Sequence, residues 1–290
     1  MNHDQIHNMK KLLPFVFLLV LASCNDDKDQ PVPYPDPAVL AKHQAPFGAP
    51  VVDVKLKKLL YNGKLFAEYI YEGDLLREQK KYLLFSVPGH YQSGSFKRNA
   101  GITESYDVVS AEWIAESQFV SDVFKPAYSI KFDTPVNDSL RTVTEENLIF
   151  LENFYRTYTL DKQGFIKRQD FTERSNTAND FTITYIRNEQ HNVASSTIVY
   201  ASQPTLASRV EYEYDNHPNP FFKLGIDRNG QLATHSLSPN NIVKETIIDA
   251  TGPVYSIEYK YEYATNGYPG KVKVESKSQG FNAYTMDFSY

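Results

Sequence analysis

The chain has 290 residues, 41% of them apolar and 22% charged, and carries a formal net charge of −5 at pH 7. That apolar content is too high for a disordered chain, and an acidic balance without clustered Lys and Arg argues against nucleic acid or an anionic lipid surface as partner. A single cysteine leaves no intramolecular disulfide to form, and 21 Tyr and 18 Phe against one Trp give the chain a pronounced aromatic bias.

In chain order, Met1 to Asn8 is polar, so either Met1 or Met9 can serve as the start. Met9-Lys10-Lys11 then supplies a positive region, Leu12 to Leu21 an apolar run, and Ala22-Ser23 the small residues of a cleavage site. Residues 1–23 therefore read as an export signal. The apolar run is about half of the roughly 20 residues that span a bilayer, and it contains Pro14, so a permanent membrane helix is not expected. Leu21-Ala22-Ser23-Cys24 resembles the lipobox of bacterial lipoproteins. The resemblance implies that Cys24 carries a diacylglyceryl thioether and an acylated amino group, which would hold the protein to a membrane with about 0.8 kcal/mol per buried CH₂. The lone cysteine of an exported chain, having no partner, fits that role, and a free thiol after an ordinary signal is the alternative.

Residues 24–50 form a tether. Asn25-Asp26-Asp27-Lys28-Asp29 resembles the short acidic export tag that sends Bacteroidetes lipoproteins to the cell surface, and a solvated linker is the other reading. The expected location is the outer membrane, facing outward, with a periplasm-facing anchor as the alternative. Pro31, Pro33, Pro35, Pro37, Pro46 and Pro50 follow, and alternating proline favours an extended polyproline II spacer rising about 3.1 Å per residue. Cleavage before Cys24 removes Lys10, Lys11 and Asp4 and leaves 28 basic against 34 acidic residues.

Residues 51–290 read as a β-rich domain. Glu68-Tyr69-Ile70-Tyr71, Phe181-Thr182-Ile183-Thr184-Tyr185, Val210-Glu211-Tyr212-Glu213-Tyr214 and Ile257 to Tyr263 alternate large and polar side chains, and a period of two predicts strands with aromatics on one face. Turn signals punctuate them at Tyr61-Asn62-Gly63-Lys64, Glu72-Gly73, Asp161 to Phe165, Asn188 to Asn192 and Asn266-Gly267. Asn-Gly suits a type I′ turn, in which both central residues need φ > 0. The spacing predicts an all-β, antiparallel meander of hairpins forming one or two large twisted sheets, with a sandwich or an open barrel as ways to close it.

Tyr212-Glu213-Tyr214-Asp215, Leu160-Asp161-Lys162-Gln163-Gly164-Phe165-Ile166 and Tyr261 to Pro269 resemble the YD-type repeats of bacterial surface proteins. With the lipobox, they resemble a group of uncharacterised Bacteroidetes-type surface lipoproteins built from such hairpins. The likeness covers about 150–290 and, less fully, 54–80. It departs from the pattern at Ala264 and at Thr159-Leu160, where Tyr-Asp would stand.

Three stretches need separate readings. Ser86 to Ser95 is a loop by composition, Ser110 to Val120 is drawn as a strand because its flanks are β-like, and Ser139 to Thr159 reads as two strands. Asp138-Ser139-Leu140 resembles the O-glycosylation site of Bacteroidetes exported proteins, which makes Ser139 a candidate acceptor. In Asp215 to Phe222, two prolines stiffen a loop, and adjacent Phe221 and Phe222 on a strand would point to opposite faces. Phe221, Phe222 and His217 are accordingly the candidate ligand-facing residues.

No metal, cofactor or catalytic signature accompanies them. The histidines lie far apart, the cysteine is assigned to lipid, and there is no Gly-x-Ser-x-Gly elbow, phosphate loop or dinucleotide fingerprint. Glu211 with Glu213 and Glu258 with Glu262 have the spacing a glycosidase needs, but they alternate with tyrosines as a solvated sheet face does. The expected function is a non-enzymatic envelope module binding a glycan, peptide or envelope partner through aromatic contacts. The alternatives are a structural scaffold of a surface complex and a polysaccharide-active enzyme.

Overall fold

A computed structural model describes residues 54–83, 89–99, 102–115, 118–119, 125–132, 140–147, 152–173, 177–224, 234–249, 252–278 and 280–290. Leu21, Ala22, Ser23, Cys24 and Ser139 lie outside them. All described residues belong to one compact unit.

Seventeen strands are found among them: β1 (Lys58–Tyr61), β2 (Lys64–Glu72), β3 (Leu75–Leu83), β4 (Gly89–Asn99), β5 (Ile102–Ala115), β6 (Gln118–Phe119), β7 (Lys125–Phe132), β8 (Leu140–Asn147), β9 (Glu152–Leu160), β10 (Ile166–Glu173), β11 (Phe181–Arg187), β12 (Val193–Tyr200), β13 (Gln203–Pro218), β14 (Asn240–Asp249), β15 (Gly252–Tyr263), β16 (Pro269–Ser276) and β17 (Tyr284–Ser289). The one helix described, α1 (Pro220–Leu224), has five residues. The all-β meander read from the alternation is thus the observed architecture.

Each strand pairs antiparallel with the next in sequence, except that the two-residue β6 hangs on β5 alone and β7 returns to β5. At the end of the meander β17 pairs with β1, placing Leu59 opposite Phe288 and Tyr61 opposite Met286, while β1 also pairs with β2. The ladder therefore returns to its start, and the question of one sheet or two resolves to one. Lys57 N donates to Ser289 O at 2.7 Å and Asn62 N to Thr285 O at 2.9 Å. Thr285 N donates in turn to the Asn62 side-chain oxygen at 2.8 Å. Asn62 can do this because the β1–β2 turn holds it at φ 48° beside Gly63 at φ 75°, the type I′ geometry that Asn-Gly favours.

The period of two sorts side chains between inside and outside. Leu59, Tyr69, Tyr106, Tyr259, Val272, Val274 and Met286 are buried on the inner face, each such side chain stabilising the fold by about 1.5–3 kcal/mol. The outer face of β15 and β16 sets Lys260 opposite Lys273 and Glu258 opposite Glu275. Like charges directly opposite are unfavourable, and the diagonal ion pair of Lys260 with Glu275 at 2.7 Å, with a further one from Lys273 to Glu275, relieves them.

Two expectations are corrected. Residues 89–95, read as loop, belong to β4, because Gly94 stands opposite Val108 on β5 and leaves room for the phenol of the buried Tyr106. Composition saw a breaker where the sheet uses a glycine to seat an aromatic ring. Phe221 and Phe222 do not alternate across a strand: Asn219 caps α1 by accepting from Phe221 N at 3.0 Å, and both rings are buried, at 8% and 2% exposure. The strand reading of Ser110 to Val120 agrees with the end of β5 and with β6, and the two strands within Ser139 to Thr159 are β8 and β9.

Gly94→Ala is expected to lower stability by about 1–3 kcal/mol, the usual cost of overpacking, read by urea denaturation. An unchanged midpoint would show that Tyr106 does not occupy the space above residue 94.

Candidate functional site

The meander gives the sheet two ends. The proximal end is where residue 54 enters and where β17 finishes; the turns joining β9 to β10, β11 to β12, β13 to β14 and β15 to β16 lie there. The distal end carries the turns joining β10 to β11, β12 to β13 and β14 to β15.

At the proximal end one turn recurs. Asp161 N donates to Phe165 O and Gly164 N to Asp161 O; Asn188 with Asn192 and His191, and Ala264 with Tyr268 and Gly267, repeat the pattern. The fourth residue is left-handed each time, Gly164 at φ 89°, His191 at φ 62° and Gly267 at φ 79°. Asp161 and Asn188 also accept two backbone amides through a side-chain oxygen, at 2.9–3.0 Å. Ala264 cannot, and Asn266 accepts from Tyr268 N at 3.1 Å instead.

Asp161, Asn188 and Asp215 are equally spaced in sequence, but after Asp215 there is no tight turn: β13 runs on to Pro218 and a long excursion, residues 219–239, follows. Its described parts carry α1 and a 3₁₀ turn, Thr234–Ser236, and deliver Phe221, Leu224 and Leu237 to the core, so the excursion plugs the proximal end. Phe222 packs with Phe165 in a smaller cluster.

Asp215 holds the excursion at both roots. It accepts His217 N at 2.9 Å and Asn241 N at 3.3 Å, and the Tyr263 hydroxyl donates to it from β15. Burial pushes the Asp215 carboxyl above its usual 3.8, with the Tyr263, His217 and Asn241 hydrogen bonds opposing the shift. His217, expected to face a ligand, is half-buried: its ring stacks on Tyr263 at 3.7 Å and its Nδ1 lies 3.2 Å from Gly267 O.

His235 on the excursion meets Glu245 on the inner wall at 2.6 Å, and the Tyr259 hydroxyl donates to the same carboxylate oxygen at 2.7 Å. Beside them is a hollow of about 40 Å³, walled by Phe221, Ile242, Tyr259, Tyr261, Met286 and Phe288 with His235, Asn219 and Asn241 at its edge. Its polar groups are spent. Asn219 donates to His235 O and Ser238 O, Asn241 to His217 O and Asp215, and Tyr261 to Ile242 O. A space of this size, far below the roughly 300–1,000 Å³ of ligand pockets, is a packing gap under the plug. Phe221 and Phe222 therefore serve the core.

The Arg187 guanidinium ties the neighbouring turn to the plug, donating to His191 O at 2.6 Å and Leu237 O at 2.9 Å over the Phe165 ring. Burial lowers its pKa to about 10.

The distal end is different. Phe154, Phe171, Phe181 and Tyr200 stand on the inner face of β9, β10, β11 and β12 as a row, with centroid separations of 5.4, 4.6 and 5.7 Å. The first three rings stack on one another, whereas Tyr200 turns 61° out of the row and is 41% exposed. Val254 and Tyr255 are exposed at the start of β15. None of these belongs to the buried core. Their signal in the sequence was faint, because Phe171, Phe181 and Tyr200 come together only through register, Phe171 facing Phe181 and Phe181 facing Tyr200.

On the outer face, the paired acids are ion-paired surface groups: Glu211 with Arg209 at 2.9 Å and Glu213 with Lys244 at 2.8 Å. Glu258 borders a groove of about 270 Å³ with Ser256, Lys260, Glu275, Ser276 and Lys277. So charged an exterior on β13 to β17 is the inverse of the apolar band that faces lipid in transmembrane barrels. Among the described residues no helix is long and apolar enough to cross a membrane, and no cluster of three metal-ligating side chains occurs.

No family model and no curated protein matches the chain. Among solved structures it is similar to a porin-like protein from Bacteroides uniformis (TM-score 0.41, 13% identity, covering 73% of this chain and 95% of that one). It is similar also to a porin-like protein from Bacteroides vulgatus (TM-score 0.39, 12% identity, covering 82% and 99%).

A raised carboxyl pKa means that the folded state holds the proton more tightly than the unfolded chain does. Asp215 therefore contributes stability that is full below about 3.8 and is lost as pH rises through its folded value. Asp215→Asn, whose amide oxygen can still accept from Tyr263 and His217, is expected to flatten that part of the stability–pH profile measured by thermal unfolding; an unaltered slope would contradict the assignment.

Proposed function

We propose that the protein is a non-enzymatic envelope module, anchored by lipid on Cys24 and held out on its Pro-rich tether, that binds a glycan at the distal end of the sheet. The observation that supports this most is the contrast between the two ends. The proximal end is plugged, the polar groups around its hollow are hydrogen-bonded, and the hollow is too small for a ligand. The distal end leaves aromatic rings partly exposed outside the core, and a ring turned out of its row, as Tyr200 is, offers a face on which a sugar can stack. Most of the tyrosines counted in the sequence are unavailable for this, since they fill the interior. That same packing favours the scaffold reading as second, because a sheet with its aromatic face inward and mixed charges outward is also what a load-bearing spacer needs.

The lipobox and the acidic segment that follows it support the anchor and an outer-membrane location, surface-facing in this reading. In a calorimetric screen against envelope polysaccharides, the proposal expects a saturable ligand whose affinity falls about tenfold in Tyr200→Ala, the equivalent of about 1.4 kcal/mol. A screen without a saturable glycan, together with a stable protein partner recovered by crosslinking in cells, would turn the assignment to a scaffold. Metabolic palmitate label retained in Cys24→Ala would remove the anchor.

A further inference from the structure

We propose that the outer-face groove between β15 and β16 is a second saccharide site, separate from the aromatic row, which takes the carboxylate of an acidic sugar. The inference rests on the glycan-binding reading of the protein and adds the chemical class of a ligand.

The groove lies toward the distal end, and Ser256 on its wall directly follows the exposed Val254 and Tyr255 in sequence. Its six lining residues divide into those already engaged and those available. Lys260 is bound to Glu275 at 2.7 Å, and Glu275, also paired with Lys273, is held down at about 2, so it remains a carboxylate at any physiological pH. Ser276 donates to Ser256 O at 2.6 Å and accepts from Ser278 N at 3.1 Å. These groups make a fixed floor.

Two charged groups remain. Lys277 is exposed and makes no ion pair among the described residues, and Glu258 reaches Lys260 only loosely, at 3.9 Å. An ammonium and a loosely held carboxylate facing one polar hollow complement a ligand that brings a negative group for Lys277 and hydroxyl donors for Glu258. The wall has no apolar side chain to receive a peptide's side chains, whereas a hydroxylated ring can meet hydroxyl, ammonium and carboxylate throughout. At about 270 Å³, just below the roughly 300 Å³ at which drug-sized pockets begin, the groove suits a single sugar ring. A uronic acid carries both required groups on one ring.

The test is calorimetric titration of the full chain with a glucuronate-containing tetrasaccharide and with the same tetrasaccharide after its carboxyls are reduced to alcohols. The glucuronate form is expected to bind about two- to fivefold more tightly, the scale of one exposed ion pair. Lys277→Ala should abolish that preference and Lys277→Arg should keep it, while Tyr200→Ala leaves the ratio of the two forms unchanged. Equal affinities in the unaltered protein, an unchanged ratio in Lys277→Ala, or no saturable binding of either form would overturn the proposal. Loss of the preference in Lys277→Ala with Tyr200→Ala silent would keep the groove and overturn the aromatic reading instead.

Discussion

The pairing of β1 with β17 is the constraint on which the rest of the structure depends. β1 has four residues, yet it bonds on one side to β2 and on the other to the last strand of the chain. Remove it and the sheet has two free edges, each a row of unpaired donors and acceptors open to another chain. With it in place, the two faces of the sheet become an inside and an outside. Leu59, fully buried, and Tyr61, stacked on Tyr284 at 4.8 Å, fix the strand from within. Asn62 extends the seam by one more reciprocal pair with Thr285.

Once inside and outside are distinct, the aromatic composition acquires its meaning. Tyrosines supply much of the interior, and hydroxyls among them find backbone partners: Tyr71 donates to Leu56 O, Tyr214 to Val193 O and Tyr290 to Pro269 O. Polar ends on large rings let the same residue pack a core and satisfy strand-end carbonyls. The excursion after Asp215 completes one end of that interior. What is left over for recognition is therefore the opposite end and the charged exterior beside it.

Much of this was legible in the alternation of Val210 to Tyr214 and Ile257 to Tyr263, which fixes which side chains share a face, and in Asn62-Gly63, which announces its turn. The closure was not legible, because Lys58 and Ser289 stand at opposite ends of the domain sequence and no local pattern pairs them. Gly94 misled because a glycine serving a ring on the neighbouring strand looks like a glycine serving a loop. Phe221 and Phe222 misled because the helix that buries both depends on the Asn219 cap and on the sheet end beneath it. Asp215 was visible as part of a repeat-like unit, but its task of holding an inserted segment depends on Tyr263 and Asn241, which only the fold brings near. The row from Phe154 to Tyr200 is a property of register across four strands.

Amide hydrogen exchange at the seam tests this account most directly. If β1 and β17 join the ladder, the amides of Lys57, Asn62 and Thr285 are protected to a degree comparable with interior pairs such as those of β15 and β16. Rapid exchange at all three, with β16 still protected, would show two free edges and contradict the closed arrangement from which the division into a plugged end, an aromatic end and a charged exterior follows.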